Sequence, residues 1–414
     1  MYPNSDFDLR GVRPRRHRSW GRAAWLATLV LTRALLLDAP AQTGVNVLTY
    51  HNDNARTGQN QDETVLSPAN VAPNTFGKLF DCPVDGYVYA QPLYMSGVQI
   101  PGQGTHNVVF VATEHDSVYA FDADTSQGST VAPLWQTRLL DPNAGESPVP
   151  ITDYGLSDPP EEGVTGTPVI DPVSGTLYVV AKIKNYQTVT YVQRLFALDV
   201  ATGTNKFGGP VDIAASVAGS GDGSEGSGDV SFEPFYEFQR PGLLLLNGVV
   251  YVTFASQGDI TPYHGWVLGY AAQSLQLVSA FNDTPNGSDG GIWMSGAGPA
   301  SDSSGSLYLL TGNGTFDANS GGADYGDSFV KLVSSGSSLR PVDYFTPYNQ
   351  TWMEANDADL GSGGALVLPD AVGSPAHPHL VVGAGKNGTI YLLDRDNLGQ
   401  YHPQGDTQIV QELF

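Results

Sequence analysis

The chain has 414 residues, with 19 basic against 42 acidic side chains and a formal net charge of −23. Such a surface repels phosphate backbones, which excludes nucleic-acid binding, and a single cysteine, Cys82, excludes an internal disulfide. Forty-nine glycines and 28 prolines among frequent Tyr and Val suit many short strands joined by tight turns.

Residues 1–41 differ from the rest. Arg10, Arg13, Arg15, Arg16, Arg18 and Arg22 precede a short apolar run, Ala23 to Leu37, and Ala39-Pro-Ala41 is a small-residue cleavage pattern. This reads as an export signal peptide. The run is short for a bilayer span, and Arg33 interrupts it. Its removal leaves twelve basic and thirty-nine acidic residues, a net of −27, and puts the mature protein in a periplasmic or extracellular setting. Acidic loops there can collect cations.

Residues 42–85 make an N-terminal segment, polar up to Val71. Within it Gly77-Lys-Leu-Phe-Asp-Cys-Pro-Val84 reads as a strand with no sequence neighbour, suited to close a ring. From 86 to 414 one unit recurs. First strands start at Gln91-Pro92, Thr167-Pro168, Arg240-Pro241, Gly298-Pro299 and Gly364-Ala365. Second strands run from Val108, Thr176, Val249, Leu307 and His379. Third strands include Tyr119 to Asp122, Leu195 to Asp199, Val267 to Ala272, Phe329 to Leu332 and Ile390 to Asp394. Fourth strands follow near Leu134, Lys206, Leu277, Val342 and Thr407. Alternating apolar residues mark the strands, and Asp199 with Thr202-Gly203 marks the turn after the clearest third strand. Four antiparallel strands repeated radially make a β-propeller blade. The predicted fold is all-β: a β-propeller of four-stranded antiparallel blades, about five of them present, a fragment of a seven- or eight-bladed ring.

Blade topology sends two classes of connection to one face: those between second and third strands, and those from a fourth strand to the next first strand. That face receives Glu114-His-Asp116, Ser256–Gly265, Gly312–Asp327, Ala384–Gly388 and the long connections 141–163, 214–239, 283–295 and 346–361. Long variable loops predict the binding face. Its candidates are Glu114, Asn313, Asp357, Asp359, Lys386, and His264 between aromatic neighbours. Several also suit plain turns, as in Thr311-Gly-Asn-Gly314 and the Asn-Gly after Lys386.

The pattern Ala197-x-Asp199-x-x-Thr202-Gly203-x-x-x-Phe207 resembles the repeat of the pyrroloquinoline-quinone (PQQ) propellers. There the last position is usually a Trp docked between blades, a role open to Trp135. Tyr50 to Gly58 and Leu66 to Val71 also resemble the start of such chains. Three local stretches resemble the quinoprotein alcohol dehydrogenases. The likeness implies that Asn313 ligates calcium, that the Asp357–Asp359 stretch holds a catalytic base, and that Lys386 contacts the quinone; Glu114 and His264 are further cofactor-binding candidates. Two features depart from that family. It has a vicinal cysteine pair beside the cofactor, and a Glu that reaches the metal from an early blade; the matching loop, Lys182 to Val192, has no acid. The departures point to a non-catalytic exported scaffold without a cofactor, binding a protein or polysaccharide through its loop-rich face. The alternative is a PQQ- and calcium-dependent alcohol dehydrogenase.

Overall fold

The computed structural model describes residues 45–125, 131–335 and 338–414; the proposed signal peptide lies outside them. Five sheets built on antiparallel strands follow one another along the chain, with a separate two-stranded sheet, Ser216–Ala218 and Asp229–Ser231, between the second and third. The first holds Leu93–Ile100, Gly104–Thr113, Ser117–Asp122 and Trp135–Arg138. The second has Val169–Asp171, Thr176–Asn185, Thr190–Asp199 and Val211–Asp212. The third has Leu244–Leu246, Val249–Ser256, Trp266–Ala271 and Leu277–Asn282. The fourth has Ala300–Ser301, Leu307–Leu310, Phe329–Ser335 and Ser338–Thr346, and the fifth Leu366–Val367, Leu380–Ala384, Ile390–Asp394 and Gln411–Leu413. The one α-helix among the described residues is Gln350–Ala355. These are propeller blades, as the repeat predicts.

Strand alternation explains why the blades stack. Side chains of successive residues leave opposite faces of a sheet. In the second blade Leu177, Val179 and Ala181 pack on the first blade's Val108, Phe110 and Val118. Between them in sequence, Tyr178 and Val180 pack on the third blade's Val250, Val252 and Trp266. The third and fourth blades share Tyr251, Val267, Leu307 and Leu309, and the fourth and fifth share Tyr308, Leu310, Val381 and Leu393. Each such fully buried aliphatic side chain contributes roughly 1.5–3 kcal/mol.

The repeated turn fastens neighbouring blades. Asp199 accepts from Gly203 N at 2.8 Å through its carbonyl and from Ala201 N at 2.9 Å through Oδ1. Gly203 has φ +69°, and a Cβ there would lie 2.3 Å from Thr137 Oγ1 and 2.6 Å from Trp135 Cε3. Glycine thus allows both the left-handed turn and the close approach of the first blade. Trp135 Nε1 donates to Val200 O at 3.0 Å, so this Trp docks between blades as the resemblance implies.

The expectation for the N-terminal segment changes. Residues 77–84 form no strand; Asp81 O only accepts one main-chain bond, from Val131 N at 3.0 Å. A strand needs an open sheet edge, and Gln411–Leu413 already supplies the fourth strand of the fifth blade. The segment that does join blades is Val47–Arg56. Val47 exchanges main-chain bonds with Tyr94 of the first blade at 2.8 and 2.9 Å. Leu48 O accepts from Ile170 N of the second at 2.8 Å, and Asn54 Nδ2 donates to Leu245 O of the third at 2.9 Å. Asn54 O accepts from Ser301 N of the fourth at 2.7 Å, and Ala55 O from Val367 N of the fifth at 2.9 Å. Ten residues therefore pair with an inner strand of every blade, covering polar groups that would otherwise be unpaired. Arg56 locks the arrangement. It is buried and donates to Pro299 O, Thr49 Oγ1, Tyr50 O and Leu243 O at 2.7–3.2 Å. Burial pulls its guanidinium down to about 10, opposed by nearby Asp53.

Candidate functional site

The inter-strand connections converge as blade topology predicts. Thr311-Gly-Asn-Gly314 follows the second strand of the fourth blade. Gly312 N donates to Gly290 O and Gly291 O at 2.8 and 2.9 Å, and Gly290 N donates to Asn313 O at 2.6 Å. A Cβ on Gly312 would sit 2.5 Å from Trp293 Cζ3 and 2.6 Å from Asp359 Oδ1. Only glycine lets this loop, the indole and the carboxylate meet.

Four of the six candidates come together here. Asn313 N donates to Asp359 Oδ1 at 2.7 Å, and Asn313 Nδ2 reaches Asp357 Oδ1 at 3.4 Å. Lys386 Nζ lies 2.8 Å from Asp357 Oδ1 and 2.5 Å from Asp359 Oδ2. Asn313 Oδ1 is buried and has no partner. The hydrogen bond from Lys386 holds the Asp357 carboxyl below its ordinary value. Partial burial disfavours charge on Lys386, but the two carboxylates outweigh it and hold the ammonium above the usual lysine value.

A fifth residue, Asp259, is not among the sequence candidates and lies on the same cavity as Asp359 and Lys386. No acid lies between Lys182 and Val192, yet Asp259 follows the second strand of the third blade, as Asn313 follows that of the fourth. Its carboxyl is raised by burial and then by the charges of Asp359 and Asp357. The signal was the equivalent position in the repeat. Beneath these loops Asp327 accepts from Leu360 N at 3.1 Å, and its other oxygen is buried without a partner. Burial, with Asp359 adding to it, raises Asp327 to about 7.

Two adjoining cavities open beside this cluster. One, about 400 Å³, is lined by Asp259, Trp293, Asp359 and Lys386. The other, about 320 Å³, is lined by Tyr89, Glu114, Glu161 and Glu162. Phe238, Arg240, Gln257 and Ser295 line both. The short strand Glu237–Phe238 pairs with Ala255–Ser256 and brings Arg240 and Gln257 to this junction. Trp293 is fixed by Nε1 donating to Ser256 O at 3.2 Å and by an edge contact with Tyr263.

Glu114 belongs to the second cavity, apart from the Lys386 cluster. It accepts from Gly163 N and Thr165 Oγ1, both at 2.7 Å, and burial raises its carboxyl to about 7. His264 lines neither cavity. It is buried, with Nδ1 2.8 Å from Thr284 Oγ1 and Nε2 2.9 Å from Asp222 O. Its ring pins two loops together, and burial lowers its basicity.

Among the described residues no three His, Cys, Asp or Glu side chains are grouped to hold a metal by themselves. The cluster nevertheless suits a hard cation in charge and donor type. Asp259, Asp357 and Asp359 face one ammonium, and Asn313 Oδ1 is an unused oxygen donor. A cation would replace Lys386 as the partner of Asp359. The single cysteine, Cys82, does not line either cavity, so a vicinal cysteine wall is absent.

No protein-family model and no curated protein matches the sequence. Solved structures do match in shape. Quinohemoprotein alcohol dehydrogenase ADHIIG from Pseudomonas putida HK5 is 16% identical with a TM-score of 0.57, covering 89% of this chain and 48% of its own. The quinohemoprotein alcohol dehydrogenase of Comamonas testosteroni is 15% identical with a TM-score of 0.54, covering 91% and 50%. A europium-containing methanol dehydrogenase is 14% identical with a TM-score of 0.52, covering 89% and 57%. The chain thus spans about half the length of these proteins. At such identity the likeness establishes the fold alone: the chain is a β-propeller similar in shape to these quinoprotein alcohol dehydrogenases.

Proposed function

We propose that the two cavities form a quinone- and cation-binding site and that the protein oxidises an alcohol there. The observation that carries this reading is the cluster of Asn313, Asp357, Asp359 and Lys386, of which Asp359 and Lys386, together with Asp259, line one cavity. Bound PQQ and calcium would supply the electron acceptor and its polarisation. Asn313, Asp259 and Asp359 would hold the cation. Lys386 keeps its proton and, at Nζ on the cavity, could donate a hydrogen bond to a bound quinone. Asp357 is the most open of the carboxylates, with 72% of its side chain exposed. Held ionised by Lys386, it is available to accept a hydroxyl proton at Oδ1 or Oδ2. Trp293 offers an aromatic surface for a planar ligand.

The absence of a cysteine pair favours a second reading, a non-catalytic scaffold that binds a protein or polysaccharide through the same loops. A combined binding and turnover experiment separates the two. Purified protein is mixed with PQQ and calcium, and thermal melting and dye-linked alcohol oxidation are followed. A raised Tm with turnover supports the dehydrogenase, because a ligand bound only by the native state stabilises it. An unchanged Tm without turnover overturns it. An exported setting is part of this proposal; among the described residues no helix is long and apolar enough to cross a membrane.

A further inference from the structure

Among the described lysines and arginines that are not solvent-exposed, all but one have a hydrogen-bond or ion-pair partner. Arg56 donates to three carbonyls and a hydroxyl, Arg194 meets Glu146 and Asp212, and Arg395 meets Asp302 and Asp370. Lys182 pairs with Glu162, Lys184 with Asp153 and Lys206 with Asp199, and Lys331 donates to Arg395 O. Arg240 has no such partner. Burial alone lowers its basicity; no carboxylate is near enough to oppose it. Yet the chain carries 42 acidic residues, and Arg240 lines both cavities at their junction. An unpaired, partly desolvated cation is costly. Beside it Gln257 Oε1 is buried and also lacks a partner, so its amide is uncommitted too. Phe238 adds an apolar surface to the same junction.

We propose that Arg240 is the anion-binding residue of these cavities, receiving a carboxylate carried by the molecule that fills them. The guanidinium fork matches a carboxylate with two parallel hydrogen bonds, and Gln257 can add a third. The occupant is a small organic acid. The carboxylate comes either from a carboxylated quinone cofactor or from an alcohol substrate that is itself an acid. The proposal rests on the cavities being a ligand site, and it does not require turnover.

The test uses the full chain, its Arg240→Gln variant and the charge-preserving Arg240→Lys. Each is titrated calorimetrically with PQQ, with 9,10-phenanthrenequinone as a quinone lacking carboxylates, and with glycolate and succinate. In one supporting outcome Arg240→Gln weakens PQQ about 10- to 150-fold, Arg240→Lys recovers part of it, and phenanthrenequinone is unaffected. That result assigns the carboxylate to the cofactor. In the other, PQQ is unaffected and glycolate or succinate is weakened, which assigns it to the substrate. The melting temperature of Arg240→Gln stays at or above wild type, since a cation without a counter-charge has been removed. Equal affinities in wild type and Arg240→Gln for every acid overturn the proposal, as does failure of the wild type to bind any of them. Failure of PQQ alone, with glycolate still lost in Arg240→Gln, sinks the quinone reading and leaves Arg240 in its role.

Discussion

Lys386 and Asp359 are joined twice: Lys386 N donates to Asp359 O at 2.9 Å, and Lys386 Nζ lies 2.5 Å from Asp359 Oδ2. The main-chain bond fixes one loop against the other, so the ion pair is held by both backbones. The ammonium is 44% exposed while the carboxylate is 9% exposed, so the charge is presented to the cavity from a buried base. Replacing Lys386 by Met should therefore change stability little, by about 0–1 kcal/mol, because a half-exposed pair is screened by water. Dye-linked oxidation should fall about 100-fold or more, as when one oriented electrostatic donor is lost. Urea unfolding and steady-state kinetics on the same variant would check the split between the two effects.

Arg56 should behave in the opposite way. It touches neither cavity, yet its removal leaves Leu243 O and Pro299 O without a charged donor in a dry interior. Each stranded buried group costs about 1–3 kcal/mol. Arg56→Met should lower the unfolding free energy by about 3–5 kcal/mol in urea melts. A loss below 1 kcal/mol would show that the Val47–Arg56 segment does not hold the blades together.

Gly203 and Gly248 provide a controlled pair. Both have left-handed backbones, with φ +69° and +77°. A Cβ at Gly248 meets nothing within 4 Å, whereas one at Gly203 collides with Thr137 and Trp135. Gly248→Ala should cost about 1–2 kcal/mol from backbone strain alone. Gly203→Ala should cost at least about 1 kcal/mol more, as overpacking does. Equal losses in denaturant melts would remove the inter-blade role assigned to this turn.

Buried carboxyls give the stability a pH dependence of unusual sign. Glu114 and Asp327 are raised to about 7, chiefly by burial. Asp116 and Asp283 are also raised well above the usual carboxylate range by burial. In the unfolded chain such groups titrate near 4. Between about pH 4 and 7 the native state binds more protons than the unfolded state. Their contribution is complete below the unfolded value and is lost as pH rises through about 7. The melting temperature should therefore fall by a few degrees from pH 5.5 to pH 8.5. Asp327→Asn, which keeps an acceptor for Leu360 N, should flatten that slope. A melting temperature that rises over this range would contradict the assignment.

Much of the blade was legible because it is local. The prolines that open first strands, such as Pro168, the apolar alternation that marks the strands, and Asp199 with Thr202-Gly203 are set within a few residues, so strand and turn could be read directly. Loop topology likewise placed Asn313, Asp357, Asp359 and Lys386 on one face. Other features escaped because distant partners decide them. Gly77 to Val84 has the apolar character of a strand, but the edge that it needs is filled by Gln411–Leu413. His264 reads as a ligand contact until Thr284 and Asp222 are found holding both its nitrogens.

By itself, the sequence determined the repeating hairpin, the five-blade count and the acidic surface, since periodicity, turn chemistry and charge need no knowledge of where the chain returns. Only the tertiary structure decided that Val47–Arg56 laces five inner strands together, that Asp259 joins the Lys386 cluster, and that Arg240 faces two cavities without a partner. Those facts depend on which atoms meet across as many as 312 residues of chain, as Ala55 and Val367 do. Only the packing of the blades side by side brings such atoms within hydrogen-bonding distance or keeps them apart.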